Sequence, residues 1–304
     1  MGLLGGRKRS MRGKVVLITG AARGIGAGVA RDLAAKGATV ALLGLEPDEL
    51  MKVAAECGPD AGAWEADVTS WSDLERAVGE VVERYGRIDV VLANAGIAAT
   101  GFTRSIDKKA FERVIDVDLL GVWRTVRVTL PHLIDSGGYA LLVSSLAAIV
   151  HIPGNAAYSA AKAGVEAFAN ALRAEVRHLG VAVGVAHPTW IATDMVGAAD
   201  EHPVFGALRT ATGGLGSKTY PLSVAVDLIS AGIASRARVV HVPGWVGVAK
   251  LFRALLPRAV ERFSRGMMPR ADQASLEDIE RRGAAEASIV GPGARAAAHR
   301  SGAL

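Results

Sequence analysis

The run Lys14–Ala30, KVVLITGAARGIGAGVA, constrains this chain more than any other. Lys14–Thr19 is a short β-rich stretch that stops at Gly20, and helical periodicity begins near Ile25. A strand, a glycine turn and a helix start form a crossover whose free N–H groups and positive dipole end favour an anion. Gly20, Gly24 and Gly26 would let backbone approach a pyrophosphate with no Cβ in the way. Their spacing differs from G-x-G-x-x-G, and an ordinary tight turn is the alternative for the glycines taken alone.

Further apolar runs alternate with helical ones. Ala38–Leu43, Ala63–Ala66, Ile88–Ala93, Ala140–Val143, Val181–Ala186 and Val239–Val242 read as strands. Their near-continuous apolar character suits parallel strands covered on both faces. Ser72 reads as the cap of a helix over Asp73–Tyr85, and Lys108–Leu133 as one long helix. The fold class expected is α/β, a doubly wound seven-stranded parallel sheet (Rossmann) with a C-terminal helical extension.

Ser145, Tyr158 and Lys162 carry the chemistry. A phenol ordinarily ionises near pH 10, too high for a base at neutral pH. A cation one helical turn away favours the phenolate, and Tyr158 and Lys162 lie four apart in a helical stretch over Ala156–Val176. Ser145 stands at a strand end, where its hydroxyl could donate to the oxygen that Tyr158 protonates or deprotonates. A lone YxxxK is more often a solvated helix pair; TGAARGIG, Asn94-Ala95-Gly96 and the Ser-to-Tyr gap change that weighting.

With those motifs in that order, residues 13–245 resemble the short-chain dehydrogenase/reductase family. The resemblance implies hydride transfer between a secondary alcohol or its ketone and nicotinamide, with Tyr158 as general acid–base, Lys162 on the nicotinamide ribose and Ser145 on the substrate oxygen. It implies a dinucleotide held by Gly20, Arg23, Gly24, Ile25, Gly26, Asp67, Val68, Asn94, Ala95, Gly96, Tyr158, Lys162, Pro188, Ile191 and Thr193. Asp67 would meet the adenine amino group, and Ile191 with Thr193 the carboxamide. Two departures stand out. Asp118 replaces the usual Asn of a proton relay, placing a charge where burial is costly unless paired. Thr189 takes the place of a glycine.

At the end of the second strand Gly44 stands where NAD-preferring relatives carry Asp, and Arg23 could meet a ribose phosphate. Leu45 and Glu46 argue the other way. The balance leans to NADP(H) over NAD(H). His151 and His187 are left out of the catalytic set, and no metal-ligand spacing is evident. Apolar Leu146, Ile149, Ile152 and Trp190 near the site imply a hydrophobic small-molecule substrate.

Cys57 is the only cysteine, so no intrachain disulfide is possible. No apolar run reaches the roughly 20 residues that span a bilayer, and a cytoplasmic protein is expected. The net charge of +5 belongs to the ends. Residues 1–12 hold four Lys/Arg and no acid, and from Arg236 onward twelve Lys/Arg face six Asp/Glu. Nucleic acid is not expected, since no aromatic-interleaved basic patch appears.

The domain reading is a basic tail over 1–12, a catalytic domain over 13–244, an amphipathic basic extension over 245–283 and a disordered tail over 284–304. Within the second, Thr193–Tyr220 reads as a mobile lid. The extension, divided at Pro257, is expected to pack over the pocket or a partner subunit, with peripheral membrane contact as the alternative. The family resemblance implies a homodimer or homotetramer through the helices 108–133 and 158–178. Two rival readings stay open: a cofactor-binding sensor without turnover, and a membrane-attached lipid-handling module.

Overall fold

A computed structural model describes residues 9–300. Among them, seven strands form one sheet: β1 (Val15–Thr19), β2 (Thr39–Gly44), β3 (Gly62–Glu65), β4 (Val90–Ala93), β5 (Tyr139–Val143), β6 (Ala182–Pro188) and β7 (Val239–Val242). Their spatial order is β3-β2-β1-β4-β5-β6-β7, and every neighbouring pair is parallel. Because successive side chains point to opposite faces, Leu17, Val91 and Leu142 enter one apolar layer and Val16, Leu92 and Leu141 the other. The first layer packs on helices Trp71–Tyr85 and Ala156–Val176, the second on Gly24–Ala35 and Leu222–Ser235. Each such aliphatic side chain contributes about 1.5–3 kcal/mol on burial. Strand order reverses between β1 and β4, which opens a crevice at the carboxyl ends of the strands.

Several expectations are corrected in detail. Ser70, not Ser72, caps Trp71–Tyr85: its Oγ accepts from the Asp73 amide at 3.2 Å. The long helix is interrupted. Lys108–Ile115 passes into a π-helical turn, Asp116–Leu120, before Gly121–Ser136 resumes the α geometry. Such π-turns recur at functional sites, and this one turns the Asp118 side chain fully inward. The stretch expected as a loop-like lid is built of short helices, Asp194–Glu201, Pro203–Thr212 and Gly214–Ser217.

The extension forms helices Trp245–Leu251, Leu256–Ser264 and Met268–Arg282. Pro257 opens the second of these, where a missing N–H costs nothing. Residues 284–300, expected to be disordered, are instead ordered as helix Ala284–Ser288, strand Ile289–Val290 and helix Gly291–Arg300. The short strand pairs antiparallel with Ala98–Ala99. Small residues misled the compositional reading: Ala287, Ala294 and Ala297 are buried, and a side chain of that size lets a helix lie close to its support. Arg300 closes the segment with ion pairs to Glu65 and Asp73. Of the basic N-terminal tail, residues 1–8 lie outside the described residues, and Arg9 donates its amide to Ala234 O at 2.8 Å.

Candidate active site

Ser145 and Tyr158 meet at the carboxyl end of β5. Ser145 Oγ accepts from the Ala147 amide at 3.1 Å, donates to Pro188 O at 3.4 Å, and engages the Tyr158 phenol. Tyr158 is on the first turn of Ala156–Val176, and Lys162 follows one turn later with its Nζ 5.4 Å from the Tyr158 ring centre. Nζ donates to Val143 O at 3.2 Å and lies 3.0 Å from Asp118 Oδ2. Asp118 Oδ1 accepts from the Ile97 amide at 2.8 Å. Both members of this ion pair are buried, so neither charge has water to fall back on. Gly96 makes room for it: a Cβ there would stand 3.1 Å from Asp118 Oδ2 and 3.2 Å from Lys162 Nζ.

The electrostatics differ from the sequence expectation. Burial pushes the Tyr158 phenol up; Lys162 pulls it down, Asp118 pushes it up again, and the net direction is upward from 10.0. Burial likewise pushes the Asp118 carboxyl up against the pull of Lys162. For Lys162, burial lowers the ammonium but Asp118 and Tyr158 raise it, with a net rise. The cation therefore persists, but part of its field is spent on Asp118 rather than on the phenol.

On the other side of Tyr158, a cleft of about 220 Å³ is floored by Gly20, Gly24, Ile25 and Gly96. Gly20 has φ +64°, and a Cβ on it would sit 2.7 Å from Ala95 Cα. A Cβ on Gly26 would strike the Gly20 carbonyl. Such a floor suits close backbone approach to a pyrophosphate. Val68, Ala95, Pro188, Ile191 and Thr193 also line the cleft. Thr193 donates its hydroxyl to Ile191 O at 3.3 Å.

Three of the residues expected there are already engaged by protein. Asn94 Nδ2 donates to Thr19 O and Gly20 O, both at 3.1 Å, so it stitches the glycine turn to β4. Asp67 Oδ1 accepts from the Thr69 amide and hydroxyl at 2.9 and 2.7 Å, and Oδ2 from Arg113 at 2.9 Å. Burial raises that carboxyl, but these donors outweigh it and the net direction is downward. Arg23 is clasped by Glu46, with Nε 3.0 Å from Oε2, and reaches Asp194 at 3.0 Å. Residues 290–294, 296 and 297 form a further wall of the cleft.

Ser145 and Tyr158 also line a second, larger cavity of about 420 Å³. Its walls are apolar, with Leu146, Ile152, Trp190, Phe205, Trp245 and Val260 among them. The two side chains thus stand in the partition between a glycine-floored cleft and an apolar chamber.

The short chain dehydrogenase family model matches residues 14–203. The chain belongs to the short-chain dehydrogenase family. An uncharacterized NAD-dependent oxidoreductase of Mycobacterium tuberculosis is 34% identical over 208 residues, covering 62% of this chain and 76% of the relative. A (-)-trans-carveol dehydrogenase of Rhodococcus erythropolis is 36% identical over 204 residues, covering 61% and 74%. Among solved structures, a 3-ketoacyl-(acyl-carrier-protein) reductase from Brucella melitensis complexed with NADH superposes with a TM-score of 0.69 at 26% identity, covering 77% of this chain and 98% of that one.

This short-chain dehydrogenase is accordingly an oxidoreductase acting on CH–OH groups. Several of its site residues escaped the sequence reading. Thr19 Oγ1 accepts from both the Asn94 and Ala95 amides at 3.1 Å; a hydroxyl ending an otherwise apolar strand was the available signal. Ser144 Oγ donates to Lys162 O at 2.7 Å and braces helix Ala156–Val176. The cover from Val290 onward could have been suspected from Gly-Pro-Gly ahead of an alanine run, a pattern that starts helices.

Proposed function

We propose that this dehydrogenase interconverts a secondary alcohol and a ketone on a hydrophobic small molecule, with NAD(H) as its hydride partner. The observation that carries the reading is the shared position of Ser145 and Tyr158 between the glycine-floored cleft and the apolar chamber. When bound, the nicotinamide ring supplies hydride donation and acceptance. Ser145 Oγ orients the substrate oxygen, and Tyr158 gives or takes the proton there. Lys162 supports the phenolate form, and the apolar walls exclude water from the reacting atoms. A phenol shifted upward holds its proton at neutral pH, which suits it to the donor role in carbonyl reduction.

The choice of NAD(H) reverses the lean of the sequence. Arg23, the residue expected to meet a 2′-phosphate, already has its guanidinium on Glu46 and Asp194. Those carboxylates would repel a further phosphate, and Glu46 supplies the acid that Gly44 lacks. A family resemblance to oligomeric enzymes supports a homo-oligomer.

The test combines binding and turnover. Purified protein is titrated with NADH and NADPH by nicotinamide fluorescence, then assayed on a panel of lipophilic ketones and alcohols. NADH is expected to bind more tightly. Tyr158→Phe is expected to keep NADH binding and lose about 10²- to 10⁴-fold in turnover. Undiminished turnover in Tyr158→Phe would sink the mechanism.

A further inference from the structure

The stretch that follows the sheet turns two of its cations, Lys250 and Arg253, inward and several apolar side chains outward. Lys250 Nζ lies 2.6 Å from Glu166 Oε1, and Arg253 lies 3.2 Å from Oε2 while donating to Ala148 O at 2.7 Å. Glu166 itself is buried, so both cations are drawn onto the protein. Val248 and Leu251 on helix Trp245–Leu251, with Phe252 and Leu255 in the turn that follows it, are left 55%, 82%, 55% and 62% exposed. Phe263 is 53% exposed as well, and it also lines the apolar chamber, so it stands at the chamber's rim. Five of the eleven large hydrophobic side chains exposed among the described residues fall in these sixteen positions, which makes them a patch rather than scattered exposure.

Arg258, Arg262 and Arg265 are exposed beside the patch, on the face of Leu256–Ser264 and its following residue that points away from the chamber. The acid among them is Glu261, whose carboxylate lies 4.0 Å from Arg265. We propose that this patch is a docking surface for an anionic lipid bilayer. Leu251, Phe252 and Leu255 enter the acyl boundary, and the three arginines meet headgroup phosphates. No helix among the described residues is long and apolar enough to cross a membrane, so the attachment is peripheral. A second copy of the chain is the poorer occupant. A two-fold contact would set the arginine group against its own image, and like charges facing each other disfavour association. The docking stands apart from the proposed reaction and is tested without it.

Full-length protein is sedimented with phosphatidylcholine vesicles, with and without phosphatidylglycerol. Binding is expected only to the anionic vesicles and is expected to weaken with added salt. Leu251→Ser/Phe252→Ser/Leu255→Ser should lower the partition coefficient by roughly tenfold or more. Arg258→Gln/Arg262→Gln/Arg265→Gln should do likewise and flatten the salt dependence. Thermal unfolding and NADH fluorescence check each variant; if the serine variant melts early, the glutamine variant carries the test. The proposal is overturned by no wild-type binding, by equal binding to neutral vesicles, or by well-folded variants that bind as wild type. It is also overturned if the serine variant turns an oligomer into a monomer in the absence of lipid, since the patch would then join two copies.

Discussion

Asp118 and Lys162 set the charge balance around the phenol. A helix places Tyr158 and Lys162 together by local geometry alone, so their adjacency was legible from the spacing, and Ser145 was placed by the strand end before it. The partner of Lys162 was not legible in the same way, because a π-turn rather than an ordinary helical turn aims the Asp118 carboxylate at the ammonium. Arg23 and Glu46 show the same limit: two loop residues meet across the cleft, and no periodicity announces it. A pH prediction follows from the Asp118 charge. Alcohol oxidation needs the phenolate, and both burial and Asp118 push the Tyr158 phenol above 10.0. The rate of oxidation should therefore still be climbing at pH 10. Asp118→Asn removes the negative charge and keeps an oxygen for the Ile97 amide, so the limb should move to lower pH. Profiles of kcat/KM against pH for both proteins check this, and an unmoved limb would contradict it.

Helix Ala156–Val176 carries Tyr158 and Lys162 on its first turns and, at Glu166, the anchor of the C-terminal extension. Burial raises the Glu166 carboxyl, but the His187 ring 3.4 Å away and the Lys250 ammonium at 2.6 Å outweigh it and hold it at about 2, below the ordinary 4.5. A depressed carboxyl contributes stability above its unfolded value. That contribution is complete above about 4.5 and disappears as pH falls through about 2. Glu166→Gln should thus cost about 1.5–3 kcal/mol at pH 7. In urea unfolding, the gap between variant and wild type should close as pH falls through that window. The amphipathic period of the extension was readable in the sequence; which face turned outward was not, because a buried acid on a distant helix decided it. The segment Gly291–Arg300 makes a kinetic prediction. Ending the chain after Val290 should speed both association and dissociation of NADH in stopped-flow fluorescence, because the cleft loses its cover. Unchanged rates would mean that the segment does not gate entry.

At the scale of the whole molecule, the sheet and its order were legible because buried parallel strands leave long apolar runs. What escaped was the return of the chain end across the cleft, a contact between segments more than two hundred residues apart. Outside the sheet, one further face is apolar. Leu120, Trp123 and Trp71 are 39%, 40% and 38% exposed, with the two indoles edge to face at 5.2 Å. Leu120 and Trp123 lie on the longer of the two stretches, 108–133, through which assembly was expected, and Trp71 on the neighbouring helix Trp71–Tyr85. Leu120→Glu/Trp123→Glu should lower the mass seen by sedimentation velocity and leave vesicle binding intact; an unchanged mass would place the subunit contact elsewhere. The returning chain end also bears on synthesis. Every strand of the sheet has been translated by Val242, and domains tend to fold from the N-terminus as they emerge. Yet the wall over the glycine floor is supplied by residues 290–297, which leave the ribosome some fifty codons later. A nascent chain can therefore meet dinucleotide while that wall is missing, and the wall would then fold over a ligand already in place.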